Sequence, residues 1–517
     1  MADTLDDEQP LKPLQGSALV LLTIAVAFST FMEVLDMTIV NVSVPHIAGS
    51  LGVSPSEGTW TISSYALASA IMQPLTGWLS RRFGEVRTFI SSVALFVIFS
   101  MLCGMATSMP MLVIFRLLQG AGSGPMVALS LSLLLSSYPK SKQGIALALW
   151  AMTVVVAPIF GPILGGWLTD NLSWPWIFYI NVPVGAMAAL ITWTLLRKRE
   201  TKTHKAPIDV IGLALLVVGV GSLQFMLDNG NDNDWFSSPM ILTLGLIALV
   251  CLTFLIVWEL LAKHPVVDLS LFKRRNFTVA VTALSLGMMA FFGINVVFPL
   301  WLQTTLGYTA TWAGLASAPV GVLAFVMAPI IGANIQRLEL RAVVTFAFLV
   351  FAGTSFWFAS FDSAASFSTL ILPRFVMGIG IACFFIPLNQ MYLSGLPADQ
   401  VASASGLANF CRTLGSSIST AATVTLWQHR GEYHHAVLTE NINSAAPATT
   451  GFLQQLKRAG FSPTEQLGVI NQLITREALT LAVNDVYLVC AVLFLAMIPL
   501  LWFARPPFGN ADGAVGH

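Results

Sequence analysis

What most limits the folds open to this chain is a succession of apolar runs, each about 20 residues long, separated by short charged or Gly/Pro-marked breaks. A run of that length is what an α-helix needs to cross the hydrocarbon core of a bilayer, where backbone polar groups must satisfy one another within the segment. Fourteen such runs lie near 16–37, 58–79, 88–107, 109–135, 144–168, 176–196, 208–227, 239–261, 278–303, 310–333, 341–360, 367–393, 402–426 and 485–504. Composition agrees. Only 10% of the 517 residues are charged and mean hydropathy is +0.78, where a soluble domain carries about a quarter charged residues. Net charge is zero, which argues against a nucleic-acid partner. The five cysteines all fall inside apolar runs with no Cys-x-x-Cys spacing, so neither a disulfide framework nor a metal site is expected.

The direction of the spans follows from lysine and arginine, which accumulate on cytoplasmic loops. With a cytoplasmic N-terminus, sixteen Lys and Arg fall on the loops of one face, among them Arg81, Arg82, Arg87, Lys140, Lys142 and the 197–205 cluster ending at Lys205. The six short loops of the other face hold none, so both termini are expected in the cytoplasm. The organisation expected is an acidic cytoplasmic tail (1–15), unlike the basic start of a signal peptide, then a six-helix bundle (16–200) and two extra spans (201–265). A second six-helix bundle (266–504) and a short cytoplasmic tail (505–517) complete it. Residues 428–484 are polar and face outward, as a solvated lid or as a docking surface for an external partner. A helix there is expected to start at Ser462 under a Ser462–Glu465 capping box.

A weak internal repeat supports two bundles. Arg116-x-x-x-Gly120-x-Gly122 in the fourth span returns 258 residues later as Arg374-x-x-x-Gly378-x-Gly380 in the twelfth, and a proline follows each, at Pro125 and Pro387. The next span of each half opens at Gly144 and Gly406. Duplicated bundles are a common plan for transporters. The fold class expected is therefore an all-α polytopic membrane protein with two six-helix bundles and two extra central helices.

Ionisable residues inside spans are costly and mark function. Glu33 and Asp36 stand i, i+3 on one face of the first span. Burial and a neighbouring carboxylate both favour the protonated form of such a group, so the pair is a candidate proton site, with Arg116 as its partner. Arg374 is expected to clasp helices through backbone carbonyls, and Glu259 to be solvated at a span end. A greasy central cavity is expected around Phe291, Phe298 and Phe384, with Asn41, Gln73, Gln119, Asn295, Asn389 and Arg412 as its polar points. Glycine and proline gather in the fifth span at Pro158, Gly161, Pro162, Gly165 and Gly166, where prolines bend a helix and small residues let neighbours approach.

These stretches resemble the major facilitator superfamily, and within it the fourteen-helix drug:proton antiporters. Leu35-Asp36-Met37-Thr38-Ile39-Val40-Asn41-Val42 is similar to that branch's first-helix signature. The segment from Gly77 through Arg81, Arg82 and Gly84 to Arg87 resembles the gating motif between helices two and three, with Arg81 where an aspartate is usual. Arg116-x-x-Gln119-Gly120 resembles the motif tied to proton transfer, and Gly161-Pro162-x-x-Gly165-Gly166 the antiporter motif. Trp174-x-Trp176-Ile177-Phe178-x-Ile180-Asn181-Val182-Pro183-x-Gly185 resembles a further hallmark of the branch, and residues 147–158 the EmrB-type exporters of Gram-negative inner membranes.

The resemblance implies alternating-access export of hydrophobic drugs from the inner membrane, driven by the proton gradient with no cofactor. It implies a periplasmic adaptor protein and an outer-membrane channel as partners, besides membrane lipids. The alternatives are uptake by symport, export of fatty acids or metabolites on the same fold, and a non-transporting receptor or scaffold. An ATP-driven pump would need a phosphate-binding loop, and no glycine here is followed by lysine. No His-Glu-x-x-His or Gly-x-Ser-x-Gly constellation is present for an intramembrane enzyme.

Overall fold

A computed structural model of the chain describes residues 14–508 other than 54, 59, 140–141, 204–206, 231–232, 264, 398–399, 441 and 443–446. Lys140, Lys205 and most of both expected tails lie outside the described residues. Fourteen helical rods run back and forth between two faces. They are α1 (Gly16–Leu51), α2 (Trp60–Phe83), α3 (Glu85–Gly104), α4 (Met109–Ser123 and Met126–Ser137), α5 (Gln143–Asn171) and α6 (Trp176–Tyr179 and Asn181–Leu196). There follow α7 (Val210–Asn229), α8 (Pro239–Leu261), α9 (Arg275–Thr304), α10 (Ala310–Ser317 and Pro319–Asn334) and α11 (Leu340–Phe358). The last three are α12 (Phe367–Leu393), α13 (Val401–Glu440) and α14 (Pro463–Leu501). An even number of rods puts both ends of the chain on one face, the termini face; the opposite one carries the turn between α13 and α14.

Eleven of these helices are long and apolar enough to cross a membrane among the described residues, and α5 makes a twelfth although its halves bend by 40°. The other two, α2 and α13, are richer in Ser, Thr, Gln and Arg. Both are packed between protein neighbours, α2 against α4 and α13, and α13 against α9 and α14. A span shielded from lipid by other helices need not be apolar all round.

The repeat seen in the sequence is a repeat in packing. A side chain added at Gly120 would strike the Tyr65 carbonyl of α2, and one at Gly378 would strike the Val320 carbonyl of α10. Within each half the first helix leans on the fifth, and the second and third on the fourth. Between the halves the same symmetry recurs. Gly144 of α5 presses on the Gly332 carbonyl of α10, and Gly406 of α13 on the Gln73 carbonyl of α2. The seam between bundles is therefore lined by two helix pairs, α5–α10 and α2–α13. The hairpin of α7 and α8 pairs with itself and leans on α2 and α13. Glu259, expected in solvent, is instead buried in that hairpin beside Gly212.

Three expected span ends do not hold, the first being that of α1, which runs past 37 to Leu51. The α13 helix continues past 426 to Glu440, and α14 begins at Pro463 rather than 485. Past Trp427 the sequence turns polar but stays rich in helix-compatible residues, so the helix outlasts the apolar run. The result is a two-helix projection, zipped by Trp427 Nε1 donating to the Leu479 carbonyl (3.0 Å), by Arg430 and His434 on Asp485 (2.6 and 2.7 Å), and by His435 beside Asn471. The Ser462–Glu465 capping box forms, with the Ser462 amide donating to Glu465 Oε2 (2.7 Å). A short helix, Pro447–Arg458, lies between the two arms.

Candidate functional site

The first helix places its two carboxylates in different surroundings. Asp36 turns into the first bundle and is wholly enclosed. Its Oδ2 accepts from Arg116 Nη1 of α4, while Oδ1 accepts from Gln119 Nε2 (3.1 Å) and from Asn181 Nδ2 of α6 (2.9 Å). Arg116 is equally enclosed. Its Nε donates to the Thr61 carbonyl (2.9 Å), Nη1 also reaches Gln119 Oε1 (2.8 Å), and its guanidinium lies 4.2 Å from the centre of the Tyr65 ring. Asn181 donates in addition to Ser100 Oγ (3.1 Å), which donates to the Phe178 carbonyl (2.9 Å). One carboxylate thereby ties α1 to α4 and α6, and one guanidinium ties α4 to α2. A buried pair whose remaining lone pairs and protons are hydrogen-bonded is the arrangement in which burying two charges is tolerated.

Glu33, one turn earlier, faces the seam. It is buried, one of its oxygens lacks a hydrogen-bond partner, and it is met by the Val127 amide just past the break in α4 at Gly124–Pro125. The opposite charge that acts on it most strongly is Arg412 of α13, in the other bundle. Glu33 and Arg412 thus address each other across the interface that a rocking transporter opens and closes.

The second bundle holds a charge-silent counterpart of the Asp36 cluster. Arg374, at the position equivalent to Arg116, is fully buried and its Nη1 donates to Asn295 Oδ1 (2.9 Å), not to the backbone carbonyls expected. The guanidinium stacks on Phe298 (3.9 Å) and faces Phe358 (5.4 Å), so among the described residues its charge is met by ring quadrupoles and an amide rather than by a carboxylate.

The residues expected around a central cavity divide. Gln119 belongs to the Asp36 cluster; Phe298 belongs with Arg374. Phe384 packs among Phe348, Phe351 and Phe385 inside the second bundle, and Asn389 donates to the Phe385 carbonyl (2.6 Å) while accepting from Tyr392 (2.7 Å). In this conformation none of these four opens onto the seam. Arg412 and Gln73 stand at it, Asn41 is exposed on α1, and Phe291 is half-buried against Phe351. Asn181, Tyr65 and Thr61 complete the Asp36 cluster and were not expected there. Asn181 was visible as an amide inside an apolar hallmark stretch, but Thr61 contributes only a backbone carbonyl and carries no signal.

The gating and packing residues sit where helices touch. A side chain on Gly77 would come within 2.7 Å of Ser403 Cβ in α13, one on Gly165 within 2.6 Å of the Ile39 carbonyl, and one on Gly161 would strike Thr38. Gly166 abuts Thr311 and Pro162 abuts Gly314, which seats α5 on α10. Pro158 lies at the bend of α5. Gly84 adopts φ +94, a conformation open to glycine, and turns α2 into α3 over the Glu200 carboxylate. Arg81, Arg82 and Arg87 flank that turn.

Residues 26–420 match the model of the Major Facilitator Superfamily. The chain belongs to the major facilitator superfamily. Among curated superfamily members it is 50% identical to the multidrug export protein EmrB of Escherichia coli (strain K12), over 98% of this chain and 99% of that one. It is 48% identical to the fatty acid resistance protein FarB of Neisseria gonorrhoeae, over 98% and 99% respectively. Among solved superfamily structures, the human organic anion transporter MFSD10 (TETRAN) superposes with a TM-score of 0.59 at 13% identity, covering 94% of this chain and all of that one, a likeness of fold. At such identity over nearly its full length, the chain is a multi-pass drug-efflux transporter of the EmrB type and not an enzyme.

Proposed function

We propose that the chain exports hydrophobic compounds in exchange for protons, with Asp36 as the coupling carboxylate and Glu33 as the group that links coupling to the seam. The observation that carries this reading is the Asp36 cluster. It is a buried carboxylate whose links to Arg116, Gln119 and Asn181 join three helices of the bundle that must move. A proton on Asp36 replaces a charged acceptor by a neutral one and weakens all three links at once. Glu33, one helical turn away, is attracted by Arg412 when charged and loses that attraction when neutral, so proton and substrate each weaken the other's binding by linkage. The electrical part of the gradient supplies about 2.3 kcal/mol per charge per 100 mV, comparable with the strength of such links.

In the orientation given by the Lys/Arg bias, the termini face is cytoplasmic, the membrane is the bacterial inner membrane, and the α13–α14 projection reaches into the periplasm. About 20 residues of α14 outside the apolar run extend it by roughly 30 Å. That reach supports docking of a periplasmic adaptor that hands substrate to an outer-membrane channel. A second reading within the same fold, export of fatty acids or other lipophilic anions, is supported by the positive charge of Arg412 at the seam and by the name of the Neisseria relative.

The decisive experiment uses everted vesicles. Dye uptake energised by respiration is expected to collapse when a protonophore is added and to be absent with Asp36→Asn. Uptake that persists without a gradient but requires ATP would overturn the reading. Arg412→Gln is expected to depress export of a fatty acid more than that of a cationic dye; equal losses would leave the lipophilic-anion reading without support.

A further inference from the structure

Outside both the seam and the Asp36 cluster, the termini end of the first bundle carries a cleft of about 480 Å3 between α2 and α3, floored by α4. The cleft exists because Gly84 turns α2 sharply into α3, while the α4 floor opposite consists of Ala121, Gly122 and Pro125 beside the break in that helix. Its α2 wall is apolar through Met72, Leu79 and Phe83, whereas its α3 wall carries the hydroxyls of Thr88, Ser91 and Ser92 near the mouth and turns apolar at Leu95. Leu95 opens an exposed stripe that continues through Ile98 and Met101, so the cleft faces lipid. From Arg87 at the mouth to Leu95 is eight helical residues, roughly 12 Å of depth into the hydrocarbon.

The mouth is cationic. Arg82 and Arg87 line it, Arg87 with 69% of its side chain exposed, and the chain at Thr203 closes the rim after Arg197, Lys198, Arg199 and Lys202. Of two carboxylates nearby, Glu85 is turned inward, whereas Glu200 stays within ion-pair distance of Arg87. Glu85 accepts from Ser132 Oγ on the inner side of α3 (3.1 and 3.2 Å). Glu200 accepts from the Val86 and Arg87 amides (3.0 and 2.9 Å), leaving its nearer oxygen 3.9 Å from the Arg87 guanidinium.

We propose that this cleft holds one anionic phospholipid of the leaflet at the termini face, its phosphate between Arg82 and Arg87 and an acyl chain lying along Leu79 and Leu95. Guanidinium forks match phosphate oxygens, and basic pockets between spans are the form that lipid-headgroup sites take. A free phosphate would use the same two arginines but gain nothing from the apolar walls, which is what favours a lipid.

The test is native mass spectrometry of the full-length protein in detergent, titrated with phosphatidylglycerol or phosphatidylethanolamine. One saturable phosphatidylglycerol is expected, bound about tenfold or more tighter than phosphatidylethanolamine. Arg82→Gln with Arg87→Gln is expected to erase that preference. Ala121→Leu, which raises the floor and leaves both arginines in place, is expected to weaken the lipid while sparing binding of glycerol phosphate. Equal retention of the two lipids by the wild type overturns the proposal, as does undiminished phosphatidylglycerol in the arginine double variant. Displacement of the lipid by millimolar inorganic phosphate would do the same, reducing the site to a simple anion site.

Discussion

Asp36 and Arg116 depend on each other in a way that a double-mutant cycle can read. Removing Arg116 alone leaves a buried carboxylate whose counter-ion is gone, a loss of roughly 3–5 kcal/mol for such pairs. Arg116→Ala is therefore expected to lower the unfolding temperature in detergent sharply, and Asp36→Asn far less, because the amide retains contacts with Gln119 and Asn181. The double variant should be more stable than Arg116→Ala alone, a non-additivity that two independent sites would not give. Function separates differently: Asp36→Asn should abolish gradient-driven export while the protein remains in the membrane. Glu33→Gln should leave export measurable but change its dependence on pH or its preference among cationic drugs; an unaltered profile would reduce Glu33 to a packing role. The sequence exposed the charged half of this cluster because a carboxylate or guanidinium inside a span is conspicuous. It hid the neutral half. Asn181 reads as one polar residue among many, Tyr65 as an ordinary aromatic, and the Thr61 carbonyl does not depend on which side chain stands at 61.

Among the elements, α5 is the helix least tolerant of change, since it serves both its own bundle and the seam. Gly165 lies against the Ile39 carbonyl of α1, where an added side chain has no flexible neighbour to displace. Gly165→Leu is expected to cost at least the 1–3 kcal/mol typical of overpacking, read as lost monodisperse protein on size-exclusion chromatography. Gly353, which meets nothing within 4 Å of an added Cβ, should accept alanine without loss. The fourteen spans were legible because length and apolarity are local properties, and α2 and α13 were found despite their polarity because charged breaks delimit them. Their continuation was not legible. Apolarity reports where lipid ends, whereas helicity ends where capping and turn residues act, so α13 and α14 outrun the apolar runs that revealed them. Ser462 is the exception that illustrates the rule: its box with Glu465 is a local signal, and it marks where α14 begins.

On the scale of the whole molecule, the two bundles keep the same packing but not the same charge. Arg116 faces a carboxylate and Arg374 an amide, so among the described residues the acidic partner of this repeated arginine is present in the first bundle alone, as the proposed coupling requires. Asn295→Ala should cost about 1.5–3 kcal/mol, the worth of a hydrogen bond to a charged group, yet leave the pH profile of export where it is. The seam carries the remaining consequence. The contacts Gly77–Ser403, Gly406–Gln73 and Gly144–Gly332 all lie toward the termini face, so this conformation is shut there. Alternating access requires the same contacts to part. A side chain at 77 would come within 2.7 Å of Ser403 Cβ, which penalises the shut state and leaves the parted state untouched. If Gly77→Val costs the shut state about 1–3 kcal/mol, the balance between the two moves by roughly 5- to 150-fold. Spin labels at positions 81 and 400, on either side of that contact, should then show a longer distance component that is minor in the parent protein. An unchanged distance distribution in a folded Gly77→Val protein would mean that the α2–α13 contact is not where the bundles separate.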